Sequence, residues 1–229
     1  MITFIDMDGV IIDSIEECYM ISKEAYYKGN SFKYDEDRYK KIFFNFRGFV
    51  RPPYEYFCLH QTIEHYYYKD ISDSEFIKFF IDTSKNFPLK SQKTFEENFF
   101  SIRYKYQDQD FESWIKMNPL TSFGKTLKDK QNLKTFIITT KDYRATKLIL
   151  EHYNISVDKI YSNEDIKNAD TKGHLIADLM DIFDEQEGLF IDDSVEHLNT
   201  VKDQRIKCYF ADWGYGKNTD YPIYSFKKC

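Results

Sequence analysis

Glycine and proline are scarce in this chain, 8 and 5 among 229 residues, so neither a fibrous repeat nor a disordered, linker-rich chain fits it. Its four cysteines, Cys18, Cys58, Cys208 and Cys229, are scattered. No C-x-x-C pair and no histidine at zinc-ligand spacing accompanies them, which argues against a zinc module and leaves reduced structural thiols. Positive charge is not in excess: the formal net charge is −6. No global field exists to gather nucleic acid, so no nucleic-acid partner is expected, although a local basic patch can still hold a small anion. The N-terminus has no basic region and its apolar stretch is broken by Asp6 and Asp8, so neither a secretion leader nor a membrane span is expected, and a cytoplasmic location follows. Internal repeats and low-complexity segments are missing too.

What is present is 42% hydrophobic and 31% charged residues, with 19 Tyr and 21 Phe. Such a chain suits a compact fold with either one large domain or a core and a smaller lobe. The aromatic residues can build stacking surfaces for bases or sugars, but many fall at helical spacing, which assigns most of them to a core.

The most informative segment is Ile2-Thr-Phe-Ile-Asp6-Met-Asp8-Gly9-Val-Ile-Ile-Asp13. Ile2, Phe4 and Ile5 suit a strand buried on both faces, and such a strand does not bury carboxylates within its run. Asp6 and Asp8 therefore belong at its C-terminal end, where an open parallel sheet leaves a crevice for ligands. Gly9 supplies the backbone freedom to turn there. Two carboxylates this close repel unless a proton or cation lies between them, and a divalent metal is the simplest resident. The plainer alternative is an acidic turn after a strand.

Capping-box sequences at Ser14-x-x-Glu17, Ser72-x-x-Glu75 and Thr94-x-x-Glu97 each precede aromatic or aliphatic residues at helical spacing. Residues 15 to 118 thus read as mostly helical. After Pro119 the texture changes to short apolar runs separated by helical segments: Thr135–Thr139, Lys159–Ser162, Gly188–Asp192 and Lys207–Ala211. With residues 2 to 5 these predict an α/β fold, a doubly wound parallel sheet of five strands. The first strand lies far from the others in sequence, so the helical stretch is an insertion. The expected division is a core of residues 1–14 with 119–229 and an inserted helical domain of residues 15–118.

In a doubly wound sheet, functional groups should cluster at strand ends. The Thr135 run ends in Thr139-Thr140-Lys141, which places a hydroxyl where it can donate to an anion near the acids. The Gly188 run ends in Asp192-Asp193-Ser194, a second acidic pair able to share a hard cation, with Ser194 as the cap of the next helix. Between them, Thr171 reads as a helix N-cap and Lys172 falls in the first turn, where the helix dipole disfavours a cation. An anion shared by the lysine and the helix end would resolve that mismatch, as would a solvated lysine; Lys167 is the competing lysine. In the insert, Arg47-Gly-Phe-Val-Arg51-Pro-Pro-Tyr54 combines cations, a bend and aromatic residues, and Arg47 or Arg51 is expected to contact a second anionic group of a ligand, the plainer alternative being a solvated loop. His60, His65, His152 and His174 fit no ligand pair.

Asp6-x-Asp8-Gly9, Thr139, Lys172 and Asp192-Asp193, in that order on successive strand ends, resemble the four motifs of the haloacid dehalogenase superfamily. The similarity covers the sheet domain, and Trp213-Gly-Tyr-Gly216 looks like the segment after the last core strand of phosphoglycolate-phosphatase-like members. The insert resembles the helical C1-type cap in position and character. One departure stands out: Asp192 replaces the usual glycine of the fourth motif, and His197 stands where a later acid is common.

The resemblance implies a Rossmannoid core with a helical cap and a Mg²⁺-dependent phosphatase acting on a small soluble phosphomonoester. It implies Asp6 as nucleophile, Asp8 as acid and base, Thr139 and Lys172 as holders of phosphate oxygens, and Mg²⁺ at Asp6, Asp8, Asp193 and Asp192. Gly9, Thr140, Arg47 and Arg51 are the expected substrate contacts. The expected partner is a small phosphorylated metabolite, and the chain is expected to be a monomer or a homodimer. The alternatives are a phosphomutase of the same superfamily and a non-catalytic binding module.

Overall fold

A computed structural model describes residues 1–128, 134–217 and 221–224. In chain order its elements are β1 (Ile2–Ile5), α1 (Ile15–Tyr27), α2 (Glu36–Phe46), a short 3-10 turn (Arg47–Phe49), α3 (Glu55–Tyr66), α4 (Asp73–Lys85), α5 (Leu89–Gln109), α6 (Phe111–Lys116) and α7 (Ser122–Leu127). There follow β2 (Lys134–Ile138), α8 (Tyr143–Tyr153), β3 (Lys159–Tyr161), α9 (Asn163–Ala169), α10 (Lys172–Ile182), β4 (Gly188–Asp192), α11 (Val195–Thr200) and β5 (Ile206–Phe210). The chain divides into two compact units, Met1–Ser14 with Asn118–Cys229, and Ile15–Met117.

The first unit is a five-stranded, wholly parallel sheet in the order β3-β2-β1-β4-β5. β1 is its centre, with Phe4 opposite both Phe136 and Phe190, and all four β1 residues are buried. A strand covered on both faces needs apolar side chains on both, and Ile2, Phe4 and Ile5 supply them. The layout puts the ends of β1, β2 and β4 next to one another. Beyond β1 the chain folds back tightly: Gly9 N–H donates to the Ile12 carbonyl at 2.8 Å, and Ile11 N–H to the Met7 carbonyl at 3.0 Å. Asp13 N–H then reaches the Pro119 carbonyl at 2.8 Å, so the segments that leave and re-enter this unit run side by side.

The regular elements of the second unit, among its described residues, are all helices, and it is built on rings: Tyr19, Tyr39, Phe43, Phe76 and Phe99 are among its fully or nearly fully buried side chains. Phe46 stacks on Phe76 with centroids 3.9 Å apart. One ion pair is buried within it, Arg103 donating from Nε and a terminal nitrogen to Glu17 at 2.6 and 2.9 Å, with Trp114 Nε1 on the same carboxylate at 3.3 Å. His60 is fully buried, its ring nitrogens 2.9 Å from Ser22 Oγ and 2.9 Å from the Tyr39 hydroxyl. Burial, helped by Lys23, pushes its pKa down to about 3, so the ring is neutral.

Of two expected helix starts, one stands and one does not. Ser72 and Glu75 form the reciprocal capping box at the start of α4. Thr94 does not begin a helix: α5 starts five residues earlier, after Pro88, and Thr94 Oγ1 donates to the Lys90 carbonyl at 3.0 Å from inside it. Pro88 has the backbone angles of a helix entrance without needing a side-chain cap, and a mid-helix threonine turns its hydroxyl back onto the preceding turn.

Candidate active site

Asp6 directly follows β1, and its N–H donates to the Ile191 carbonyl of β4 at 3.0 Å, which fixes its backbone against the neighbouring strand. Asp192 is the last residue of β4 and Asp193 follows it. The three carboxylates of Asp6, Asp192 and Asp193 each offer an oxygen within 4.8 Å of the others, and all three are buried.

Lys172 stands among them. It is the first residue of α10, directly after Thr171, whose side chain accepts from His174 N–H as the N-cap. Gly173 N–H donates to Thr200 Oγ1 at 2.9 Å, tying this helix start to the end of α11. The Lys172 ammonium, only 2% exposed, donates to Asp6 Oδ1 and to Asp192 Oδ2, both at 2.7 Å. Burial alone would drive the lysine to lose its proton, but Asp192 and Asp6 outweigh it and hold its pKa above the ordinary value. Lys167, by contrast, lies exposed on α9.

The two acids that share this lysine are held differently. Burial works against the Asp192 charge, yet Lys172 and His197 outweigh it and keep its pKa far below the usual carboxylate range. Its Oδ1 accepts from Ser194 N–H at 2.8 Å, and His197 Nδ1 lies 3.2 Å from Oδ2. Asp6 is pushed the other way: burial raises its pKa well above normal, Lys172 opposes that, and the carboxylates of Asp192 and Asp193 add to the rise. Asp192 is thus the settled counter-ion of the lysine, while Asp6 is the acid whose charge burial disfavours most, with its neighbouring carboxylates adding to that.

Asp193 is clamped by a segment beyond β5. Tyr215 N–H donates to its Oδ2 at 2.5 Å. A Cβ on Gly216 would stand 1.8 Å from the Asp193 carbonyl oxygen, and one on Gly9, whose φ is +82°, would stand 2.4 Å from Asp193 Oδ2. Only glycine fits either approach. The Tyr215 hydroxyl donates to Asp13 Oδ1 at 2.9 Å and accepts from Ser14 N–H at 2.6 Å, so one tyrosine ties the acidic turn to the clamp. Trp213 Nε1 adds a bond to the Val10 carbonyl at 3.0 Å.

The end of β2 supplies the other side. Thr139 is fully buried and its Oγ1 accepts from Lys141 N–H at 3.1 Å; Thr140 follows, half-buried. The Lys141 ammonium reaches Asp8 Oδ1 at 3.0 Å. Sequence alone assigns this lysine no role, since a cation after a strand looks like an ordinary solvated loop residue; the only signal is its place at a strand end facing acids. Ser194 caps α11 through His197 N–H, in keeping with its position after β4.

Arg47 and Arg51 belong to the helical unit. A terminal nitrogen of Arg47 donates to the Val50 carbonyl at 3.2 Å, with its guanidinium 5.2 Å from the Tyr56 ring centroid. Arg51 donates to the Gly48 and Val50 carbonyls at 2.6 and 3.1 Å. Both thus brace the bend that carries them. Among the described residues no helix is long and apolar enough to cross a membrane.

Charged groups gathered at the carboxyl ends of a doubly wound parallel sheet define an α/β protein with a strand-end ligand site. The chain belongs to the haloacid dehalogenase-like hydrolases: that family's sequence model matches residues 54–211. No curated protein matches the sequence. Among solved structures, the chain is similar to a predicted phosphatase from Clostridium acetobutylicum, with a TM-score of 0.63 at 16% identity over 97% of this chain and 93% of that one. It is also similar to a haloacid dehalogenase-like family hydrolase from Streptococcus pneumoniae, with a TM-score of 0.57 at 15% identity over 97% and 93% of the two chains. A third likeness is to a predicted phosphoglycolate phosphatase from Haemophilus somnus, with a TM-score of 0.60 at 14% identity over 97% and 88%. At these identities the likeness is one of fold.

Proposed function

We propose that the chain is a Mg²⁺-dependent phosphatase that hydrolyses a small soluble phosphomonoester through an aspartyl-phosphate on Asp6. The observation that carries this reading is the set of three buried carboxylates within 4.8 Å of one another beside a doubly bonded lysine, at the ends of adjacent strands. The phosphatase names of the Clostridium acetobutylicum and Haemophilus somnus structures agree with it.

The donor set fits the metal. It consists of hard oxygens, and the glycines packed around Asp193 hold one of them in place. Asp6 and Asp193, with the backbone carbonyl of Asp8, would hold Mg²⁺. Asp192 lies within the same group, but its oxygens serve Lys172, Ser194 and His197, so its part is to anchor the lysine. When bound, the ion supplies positive charge between the attacking carboxylate and the phosphate; two unit charges at 4 Å otherwise repel by about 4 kcal/mol at an effective dielectric of 20.

The residues of the chain do the rest. Asp6 attacks phosphorus in line, forming an Oδ–P bond as the ester P–O bond breaks. Asp8 gives a proton to the leaving oxygen, then takes one from the water that attacks the aspartyl-phosphate and releases inorganic phosphate. Lys172 and Thr139 hold phosphate oxygens, with Gly9 and Thr140 beside them. In the insert, Arg47 or Arg51 meets a second anionic group of the substrate, a phosphorylated metabolite. A screen of phosphorylated metabolites with added Mg²⁺ tests the reading, using Asp6→Asn as control. Phosphate release by the wild type and none by the variant supports it, whereas equal release by both ends it.

A further inference from the structure

We infer that Lys141 is a positioning residue for Asp8, and that it equips the chain for phosphate esters of weakly acidic alcohols, whose leaving oxygen must be protonated. The inference rests on the phosphatase reading above. Lys141 stands on a fixed platform: its N–H donates to Thr139 Oγ1 at 3.1 Å and its carbonyl accepts from Asn163 N–H at 3.4 Å. The next residue, Asp142, caps α8 by accepting from Ala145 N–H at 2.9 Å. From that platform the stem runs inward, with its side chain 1% exposed, and ends 3.0 Å from Asp8 Oδ1, on a carboxylate 15% exposed.

An ion pair on the surface contributes little and needs no fixed stem. A buried ammonium loses its water, so its position matters to what it touches. The terminal torsion of an aspartate is broad and roughly two-fold, which leaves an unsupported carboxyl poorly aimed. A charge-assisted bond on Oδ1 selects one orientation and thereby directs the other oxygen. Proton delivery needs that aim, because catalytic groups must be held within about 0.5 Å of the productive geometry. As Asp6 bonds to phosphorus, the ester electron pair passes to the leaving oxygen, which takes the Asp8 proton. An alkoxide or an electron-rich phenolate cannot leave without that proton, whereas 4-nitrophenolate can.

The test is a series of aryl phosphates from 4-nitrophenyl to 4-methoxyphenyl, read as kcat/KM, which reports the steps up to departure of the leaving group. In Lys141→Met, kcat/KM should fall by about 100-fold for 4-methoxyphenyl phosphate and by less than about threefold for 4-nitrophenyl phosphate. The dependence on leaving-group basicity therefore steepens. Asp8→Asn should show the same tilt, adding Lys141→Met to it should cost nothing further, and Lys141→Arg should restore much of the loss. The double variant also removes both charges together, so it keeps the comparison usable if the single lysine variant folds poorly. An equal loss across the series, or no loss, overturns the inference, because a phosphate-holding or purely structural lysine would not discriminate among leaving groups. Asp6→Asn, assayed on the same series, reports on the phosphatase reading alone: if it turns over like the wild type, that reading fails whatever Lys141 does.

Discussion

In the helical unit Glu17 and Arg103 set one carboxylate against one guanidinium at 2.6 and 2.9 Å, whereas at the strand ends of the sheet unit four carboxylates, Asp6, Asp8, Asp192 and Asp193, meet the ammoniums of Lys141 and Lys172. The first arrangement is balanced and closed. The second, even with His197 beside Asp192 counted as a cation, holds more carboxylates than positive groups. Burying net charge costs free energy unless a counter-ion arrives, so a balanced pair serves the fold and an unbalanced group serves a ligand. The upward push on Asp6 comes first from its burial, and the carboxylates of Asp192 and Asp193 add to it against the pull of Lys172.

The largest expected effect falls on the unbalanced side. Asp6→Asn removes the proposed nucleophile and should lower turnover by at least about 10⁴-fold, with an unchanged circular dichroism spectrum. Residual turnover near the wild-type rate would break the contrast at once. On the balanced side, Glu17→Gln leaves Arg103 buried without its carboxylate and should cost about 3–5 kcal/mol of stability in urea denaturation. Glu17→Met with Arg103→Met should cost far less, since no charge is stranded. If the single and double variants lose the same amount, the pair is not a closed unit.

A third effect concerns pH. The His60 ring titrates at about 3 in the fold against 6.5 for a free histidine, so below neutrality the unfolded chain binds a proton that the folded one refuses. Its contribution to stability is therefore complete above about pH 6.5 and declines as the pH falls toward 3, by about 2–3 kcal/mol between pH 7 and 4.5. His60→Gln should flatten the wild-type pH dependence by that amount; an unaltered slope would mean the ring is protonated in the fold. The smallest effect is expected at the bend of the helical unit. Alanine at Arg47 or Arg51 should raise KM about tenfold for a doubly anionic substrate at nearly constant kcat, whichever arginine makes the contact. Unchanged KM in both variants across a panel of phosphate esters would leave them a purely local, bracing role.

The strands are legible in the sequence because their apolar runs are short, and those of β1, β2 and β4 end in acids or a threonine, a pattern that neither a buried helix nor a solvated loop produces readily. Lys172 is legible as an electrostatic misfit, a cation at the wrong end of a helix, and the structure resolves the misfit by facing it with two carboxylates. Lys141 is not, because its role depends on Asp8, 133 positions earlier in the chain, and nothing local marks it. Tyr215 lies in the Trp213–Gly216 segment that the sequence does mark, but the bonds by which its backbone and hydroxyl join Asp193 to Asp13 and Ser14 depend on distant residues and are not legible there. The sequence marks Asp192 as a departure from the fourth motif but does not say what it does; its partners in the structure make it the lysine's anchor and Asp193 the clamped acid. The start of α5 falls before the expected place because Thr94 and Glu97 match a capping pattern that has no force once Pro88 has already opened the helix.

If the imbalance at the strand ends exists to hold a divalent cation, the cation should bind without any substrate present. Calorimetric titration of Mg²⁺ into the wild type and into Asp193→Asn measures this. One Mg²⁺ per chain is expected in the wild type, with an affinity at least about tenfold weaker in the variant. No binding to the wild type, or equal binding to both, would contradict a cation-holding role for these acids.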